Sequence, residues 1–302
     1  MLKSEFVKTW SLRTNLILLA VLILINLICA ISVEKQNYAS WKENAKKQYK
    51  EYDEALAECI KEGVNEEYCR PFVEKTILLQ YSLEKNIPYG VTSVFSHMLR
   101  LTEVLSLFIV IAVYLGSKIY SNEYDENTWK NLFCTGAKKR KIYLTKFIFT
   151  ICYMLIYMTV FLLLSVVIGF LYFGGGSSGT VLSYVNGQVI ENNILAEIFT
   201  VYGMTLIKLL FYVLFVHACM IFTGQKMISF LSAVIIMMVV PWINMLLGSS
   251  SAAKALPFYY LNMGFDGYSM ELLLYVLVLA GYSIVLTVVS YVKFTKKEWK
   301  YC

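Results

Sequence analysis

Long apolar runs constrain the fold of this chain more than any other feature. A helix needs roughly 20 mostly apolar residues to cross the hydrocarbon core of a bilayer, and six stretches of the sequence approach or exceed that length. The predicted spans cover residues 16–33, 98–118, 147–173, 199–223, 227–248 and 272–292. Charged residues make up only 16% of the chain, whereas a soluble domain carries roughly 25%. The sequence therefore predicts an all-α polytopic membrane protein with six transmembrane helices.

The distribution of positive charge predicts the orientation of these spans in the cell membrane. Short cytoplasmic loops are enriched in lysine and arginine. The N terminus, the segment 119–146 with its flanks, the link after the fourth span and the tail 293–302 together carry fifteen of these residues. The short loops 174–198 and 249–271 carry one, Lys254. We therefore expect both termini in the cytoplasm and these two loops outside the cell.

Residues 1–15 have the pattern of an N-terminal interfacial helix. Leu2, Phe6 and Trp10 recur at steps of four, and the basic residues lie elsewhere around the helix. An amphipathic helix on the inner leaflet fits this pattern. The alternative is a frayed tail whose charges only fix the topology. The apolar core of the first span is longer than that of a signal peptide, so we expect the span to stay in the chain.

Residues 34–97 are predicted to form an extracellular helical hairpin. Trp41, Ala45 and further residues recur at steps of four and three in its first half, and a second such pattern begins at Phe72. These are the periods of two amphipathic helices. Cys59 and Cys69 would flank the tip, and an exported location permits a disulfide between them. The alternative is a spacer with two free thiols.

The segment 119–146 combines an apolar helix face with a dense cluster of charge. Acidic residues precede the stretch and four consecutive basic residues follow it, which suits the dipole of a short helix. Trp129, Leu132 and Phe133 would share one face of that helix. An exposed apolar face with a charged rim is a docking surface for another protein. Alternatively, the basic cluster only fixes topology and binds anionic lipid while the aromatic residues enter the interface.

This segment resembles the signature region of the type-2 ABC exporter permeases, the membrane subunits of ATP-driven exporters. The matching positions are Glu123, Thr128, Arg140 and Lys146, and Asn127 stands where the family usually has glycine. The tail FTKKEW is similar to the family's terminal motif. The resemblance extends to six spans, an N-terminal interfacial helix and a cytoplasmic helix between the second and third spans.

The resemblance implies which partners and cofactors to expect. The segment 119–146 would hold a coupling helix that contacts an ABC ATPase subunit, present in two copies. A second permease chain, identical or related, would complete the transport path alongside membrane lipid. The chain has no GxxxxGK[ST] phosphate-binding loop, so ATP and Mg²⁺ would be bound by the partner ATPase. We expect this chain to be non-catalytic, without a metal site or cofactor of its own and without a nucleic-acid partner.

Two ionisable residues inside the predicted fourth span are candidates for contact with cargo. Lys208 and His217 lie within the apolar run 199–223, and ionisable residues in hydrocarbon usually face an interior or a cavity. Lys208 could instead extend its ammonium group towards the membrane surface. His217 could instead be a helix-contact residue with no role in transport.

Two functions from different classes fit these observations. The first is a permease subunit of an ABC exporter that moves an amphipathic cargo, which would be a peptide, for example an antimicrobial peptide, or a lipid-like or drug-like molecule. The second is a membrane-embedded sensor or scaffold with an extracellular receptor hairpin and a cytoplasmic docking loop. An ATPase partner would support the first function, and a kinase or regulator partner would support the second.

Overall fold

The structure is a computed structural model that describes residues 12–33, 38–61, 66–125, 138–175, 179–185, 187–247, 253–261 and 270–296. Helices dominate these ranges. The α-helices are α1 (Leu12–Ile31), α2 (Trp41–Lys61), α3 (Glu66–Lys85), α4 (Val94–Asp125), α5 (Lys139–Phe173), α6 (Ile194–Thr223), α7 (Lys226–Leu247), α8 (Pro257–Leu261) and α9 (Met270–Lys296). Two one-turn 3-10 helices, Tyr38–Ser40 and Ala253–Ala255, and two strands, β1 (Thr180–Val185) and β2 (Gln188–Asn193), complete the described elements.

Several of these helices are long and apolar enough to cross a membrane. Among the described residues, α1, α5, α6, α7 and α9 each meet that requirement alone. α4 meets it only as two segments, Val94–Thr102 and Val104–Ile119, which are bent by 61° relative to each other. The predicted all-α membrane class therefore fits the structure. The described part of the chain has five candidate spans, or six if the bent α4 is a single span.

Several helices are longer than the apolar runs predict. α4 begins at Val94 rather than at residue 98 and continues to Asp125, and α5 begins at Lys139 rather than at 147. Much of the predicted loop 119–146 is therefore helical. Charged residues such as lysine and glutamate are good helix formers, so a helix can continue past the end of an apolar run. The same correction applies to α9, which continues to Lys296.

The N-terminal boundary also differs from the prediction. In the described part of the chain α1 runs from Leu12, so residues 12–15, which were predicted as part of the interfacial helix, are continuous with the first span. Residues 1–11 lie outside the described residues. Asn15, in the first described turn of α1, contacts α5, because its Oδ1 accepts hydrogen bonds from the hydroxyl groups of Tyr153 at 3.1 Å and Tyr157 at 2.6 Å. The start of α1 is thus fixed to α5.

α6 lies at the centre of the bundle. It is the most buried of the five helices that qualify as spans alone, and it packs against α4, α7 and α9. Gly116 of α4 allows close approach, because a Cβ atom at this position would lie 3.2 Å from Cγ1 of Val213. α7 and α9 bury only a small part of their apolar surface. Their outward faces are therefore suited to lipid or to another protein chain.

The predicted helical hairpin is present as α2 and α3. Trp41, Ala45 and Leu79 form a small core of their own, separate from the core of the bundle. Cys59 and Cys69, the candidate pair of the sequence, are joined by a disulfide. Lys75 on α3 donates a hydrogen bond to the hydroxyl of Tyr52 on α2 at 3.0 Å. The two helices are thus held together by an apolar core, a covalent bond and a polar contact.

The segment predicted as an extracellular loop, residues 174–198, contains a β-hairpin instead. β1 and β2 pair antiparallel, with Val185 opposite Gln188 and Thr180 opposite Asn193. Asn193 also caps α6, because its Oδ1 accepts hydrogen bonds from the backbone N–H groups of Leu195 and Ala196. The cap begins α6 at Ile194 rather than at the predicted residue 199. The other predicted outer loop, 249–271, contains α8.

A side-chain hydrogen bond connects the β-hairpin to the helical hairpin. The hydroxyl of Tyr81 on α3 donates to Oε1 of Glu191 on β2 at 2.8 Å. This hydrogen bond, followed by burial and the negative charge of Glu191, raises the pKa of Tyr81 above its usual value of 10.0. A raised pKa means that the contact favours the protonated phenol.

We expect Glu191→Gln to lower the pKa of Tyr81 towards 10. The native contact is complete below pH 10 and is lost as the pH rises through the raised pKa, since the phenolate cannot donate the hydrogen bond. The NMR shift of the Tyr81 ring Cζ, followed between pH 9 and 12, measures the titration, and Tyr81→Phe identifies its signal. A pKa that does not change in Glu191→Gln would contradict this hydrogen bond.

Candidate functional site: the loop end of the bundle

The predicted coupling residues that the structure describes lie at one end of the bundle. We call it the loop end, because α4 ends there at Asp125 and α5 begins there at Lys139. α6 also ends there, as Gly224 after its last residue packs on Tyr124 of α4. The end holding α2 and α3 is called the hairpin end.

A buried ion pair connects α4 to α5 at the loop end. Nζ of Lys146 lies 2.7 Å from Oε1 of Glu123, and the side chains are 1% and 3% exposed. The same ammonium group donates to the backbone oxygen of Ile119 at 3.0 Å. Lys146 therefore contacts α4 at two points that are one helical turn apart.

Because this ion pair is buried, its two side chains cannot easily separate. Moving two charges out of water costs several kcal/mol per ion, and close contact with further hydrogen bonds is needed to offset that cost. Separating Glu123 from Lys146 inside the protein would leave both charges poorly solvated. Any movement of the start of α5 should therefore carry the end of α4 with it, which makes the two helices a mechanical unit at the loop end.

Tyr143 connects the start of α5 to the end of α9. It is 1% exposed and lies about one turn before Lys146. Its hydroxyl lies 2.7 Å from Oγ of Ser290 and donates to the backbone oxygen of Thr287 at 3.0 Å. These contacts hold α9 at the same end of the bundle as the ion pair.

The ring of Tyr143 is the centre of an aromatic cluster. Its centroid lies 5.3 Å from those of His217 and Tyr291 and 5.7 Å from that of Phe294. Aromatic rings at such separations stabilise a fold beyond the area they bury. Through Tyr143, the first turns of α5 thus contact both α6 and α9.

The structure separates the two ionisable residues predicted as cargo contacts. His217 is buried in the aromatic cluster, whereas Lys208 is half-buried in the middle of α6. Nine residues of helix place them about 14 Å apart along the axis, so they do not form one polar site. The contacts of His217 agree with the alternative interpretation, a helix-contact residue.

The predicted coupling residues fall into three groups. Glu123 and Lys146 come together in the buried pair. Arg140 is exposed in the first turn of α5. Thr128, Trp129, Leu132 and Phe133 lie outside the described residues. The structure therefore describes the helices on either side of the segment 126–137 and the contact between them.

Gly224 lets α7 follow α6 closely at the loop end. Its φ of +68° lies in the left-handed region, and a Cβ atom there would be 3.2 Å from Cε1 of Tyr124. We expect Gly224→Ala to lower the free energy of unfolding by about 1–3 kcal/mol, because a side chain in this conformation is strained. Gly203→Ala, in α6 and with open space around it, is the matched control. Unfolding in mixed micelles measures both, and equal effects would contradict the argument.

Sequence reasoning missed Tyr143 and its partners on α9. Tyr143 lies at the edge of an apolar run and Ser290 lies inside one, so neither has a motif that indicates a role. Their contact joins residues 147 positions apart, and single-sequence periodicity carries no information about such pairs. The acid and base of the ion pair were singled out, but as separate motif positions rather than as partners.

Comparisons with known proteins give a family and a relative. A family model described as "Protein of unknown function (DUF2705)" matches residues 71–300. The "Uncharacterized protein YhcI" of Bacillus subtilis (strain 168) is 26% identical over 176 residues, which are 55% of this chain and 53% of that protein. The match thus spans about half the length of the relative. No solved structure matches the chain.

Proposed function

We propose that this chain, which belongs to the DUF2705 family of proteins of unknown function, is the permease subunit of an ABC-type exporter. In this proposal the segment 126–137 receives a force from a separate ATPase chain, and α4 and α5 transmit it to the bundle. The observation that carries the proposal is the buried pair of Glu123 and Lys146. It joins the two helices that flank the segment.

Three features of the loop end support this assignment. The ion pair makes α4 and α5 move together, and Tyr143 extends the contact to α6 and α9. The two paired residues are also two of the four positions that carry the resemblance to type-2 exporter permeases. A displacement at one short segment would thus reach α6 and α9 as well as α4 and α5.

The proposal includes partners, cofactors and orientation. The loop end would face the cytoplasm with both chain termini, and the helical hairpin would lie outside the cell. Two copies of an ABC ATPase subunit would bind ATP and Mg²⁺, while this chain would be non-catalytic. A second permease chain, identical or related, would cover part of the exposed apolar surface of α7 and α9, and membrane lipid would cover the rest. The cargo would be amphipathic, such as a peptide or a lipid-like or drug-like molecule.

Co-purification from the native host membrane tests the proposal. The tagged chain should bring down an ABC ATPase, and the complex reconstituted in liposomes should hydrolyse ATP. The paired substitutions Trp129→Ala and Phe133→Ala should abolish the association while the chain still inserts. Phe199→Ala is the control, since this aromatic residue is 77% exposed at the hairpin end.

Loss of the ATPase in the paired variant alone would support the coupling role of the segment. Retention of the ATPase in that variant contradicts the coupling role. Recovery of a kinase or regulator instead of an ATPase would favour the sensor function, for which the disulfide-linked hairpin would be the receptor.

A further inference from the structure

A cavity of about 160 Å³ lies at the hairpin end, far from the ion pair. Its walls come from the connection between α3 and α4, the first turns of α4, the strand β1 and Ile194 at the start of α6. At roughly 30 Å³ per liquid water molecule, this is the space of about five water molecules. The cavity is thus large enough for a small charged group with a few carbon atoms attached.

The lining of the cavity is mostly apolar with one positive charge. Leu99, Val181 and Leu182 provide apolar walls, and Arg100 provides the charge. Among the described residues that line the cavity, none is acidic. Arg100 is exposed, so its guanidinium group remains available to a ligand that enters from outside.

The serines in the cavity wall are already engaged by the backbone. Oγ of Ser93 accepts from the backbone N–H of Ser96 at 3.2 Å, and Oγ of Ser96 accepts from the backbone N–H of Ser93 at 2.7 Å. This reciprocal cap fixes the start of α4. It also leaves Arg100 as the charged group that would select a ligand.

We propose that this cavity binds the anionic end of a small amphiphile, a carboxylate or phosphate group attached to a short apolar chain. The planar guanidinium of Arg100 matches both anions, since it can donate two parallel hydrogen bonds. The apolar walls would accept the first carbons of the chain. The proposed binding is independent of the ATPase and therefore of the exporter assignment.

The position of the cavity gives bound ligand a direct effect on the helical hairpin. Tyr89 and Val91 line the cavity and also pack against the small core of Trp41, Ala45 and Leu79. Burial, the largest influence on Tyr89, raises the pKa of its phenol, in agreement with a side chain held between the two sites. A ligand that fills the cavity would therefore restrain the hairpin relative to α4.

Photo-crosslinking with the full chain in zwitterionic nanodiscs tests the proposal. The probe is a decanoate with a diazirine group, and peptide mapping should place the label within residues 88–100 or 180–182. Arg100→Gln should lower the labelling by about tenfold, which corresponds to about 1.4 kcal/mol. Arg70→Gln is the matched control, because Arg70 is an exposed arginine of the same end that pairs with Glu74 at 2.8 Å.

Competitors distinguish the source of the anion. Decanoate and decyl phosphate each test one form of the amphiphile, and inorganic phosphate tests the head group without a chain. Decyltrimethylammonium has the same tail with the opposite charge and should not compete. Competition by the cation equal to that of decanoate, or equal labelling of Arg100→Gln and the wild type, would mean that only the apolar chain is recognised and would overturn the proposal.

A second variant separates loss of the site from loss of the fold. Val181→Trp should fill the cavity from β1 and lower the labelling while Arg100 remains in place. Unchanged unfolding temperature and elution volume would show that either variant is still folded. Normal labelling of a folded Val181→Trp variant would contradict the location of the site.

Discussion

Lys146→Met is expected to lower the free energy of unfolding by about 3–5 kcal/mol, because it leaves the buried carboxylate of Glu123 without its cation. Glu123→Gln should have a similar effect, since it leaves the ammonium group of Lys146 without its anion. The two groups are 2.7 Å apart and almost fully buried. Unfolding by increasing SDS in mixed micelles, followed by circular dichroism, measures the change. Arg140→Gln, which removes an exposed charge from the same helix, should change the free energy by about 0.5 kcal/mol or less.

The double variant Glu123→Leu with Lys146→Met removes the whole ion pair and leaves neither charge unpaired. Replacement of a whole buried pair by apolar side chains is often neutral or stabilising, so this variant should be more stable than either single variant. A double variant less stable than both would contradict the argument. Measurements of transport distinguish a role of the pair in coupling from a role in stability. If the pair also transmits force, the stable double variant should still bind the ATPase but export its cargo poorly.

Tyr143→Ala is expected to lower the free energy of unfolding by about 3–5 kcal/mol, as for other large aromatic residues removed from a core. The side chain is fully buried and its ring contacts residues of both α6 and α9. The cavity left behind would lie where α5, α6 and α9 meet. The same SDS titration measures this change.

Tyr143→Phe separates the contribution of the hydroxyl from that of the ring. It keeps the aromatic contacts and removes the hydrogen bonds to Ser290 and Thr287, so it should cost about 0.5–1.5 kcal/mol. Tyr282→Ala on α9, where the side chain is half-exposed, is the control and should cost about 1 kcal/mol or less. Equal losses for Tyr143→Ala and Tyr282→Ala would show that the cluster around Tyr143 adds no stability.

Much of the helical architecture could be predicted because it depends on local composition. Apolar runs locate the spans, since each run must satisfy its own backbone hydrogen bonds in lipid. The helical hairpin could be predicted equally well, because Trp41 and Ala45 repeat with the period of a helix and are buried as that pattern requires. Cys59 and Cys69 could be paired because they lie on either side of the point where the first periodic pattern gives way to the second.

The helix ends and the β-hairpin were harder to place. The start of α6 depends on the side-chain cap at Asn193, which an apolar run does not indicate. The β-hairpin had a sequence signal that our prediction overlooked. Asn186–Gly187 is the dipeptide most typical of a two-residue hairpin turn, and the glycine-rich start of this segment obscured it.

The candidate site could be predicted only in part, because its contacts are between distant parts of the chain. Glu123 and Lys146 stood out as charges beside apolar runs, but nothing local pairs them. Tyr143 had no distinguishing feature at all. Its role depends on the side of α9 that faces it, and the position of Ser290 is set by the packing of the whole bundle.

The ion pair also has a consequence for how the protein is made. Glu123 belongs to a helix that is synthesised before the helix that carries Lys146. A buried carboxylate without a cation is costly, so the end of α4 beyond Ile119, where its apolar segment stops, should stay in water until α5 has been made. The buried pair can form only once both helices are present, so a nascent chain stopped between them would keep Glu123 exposed to water.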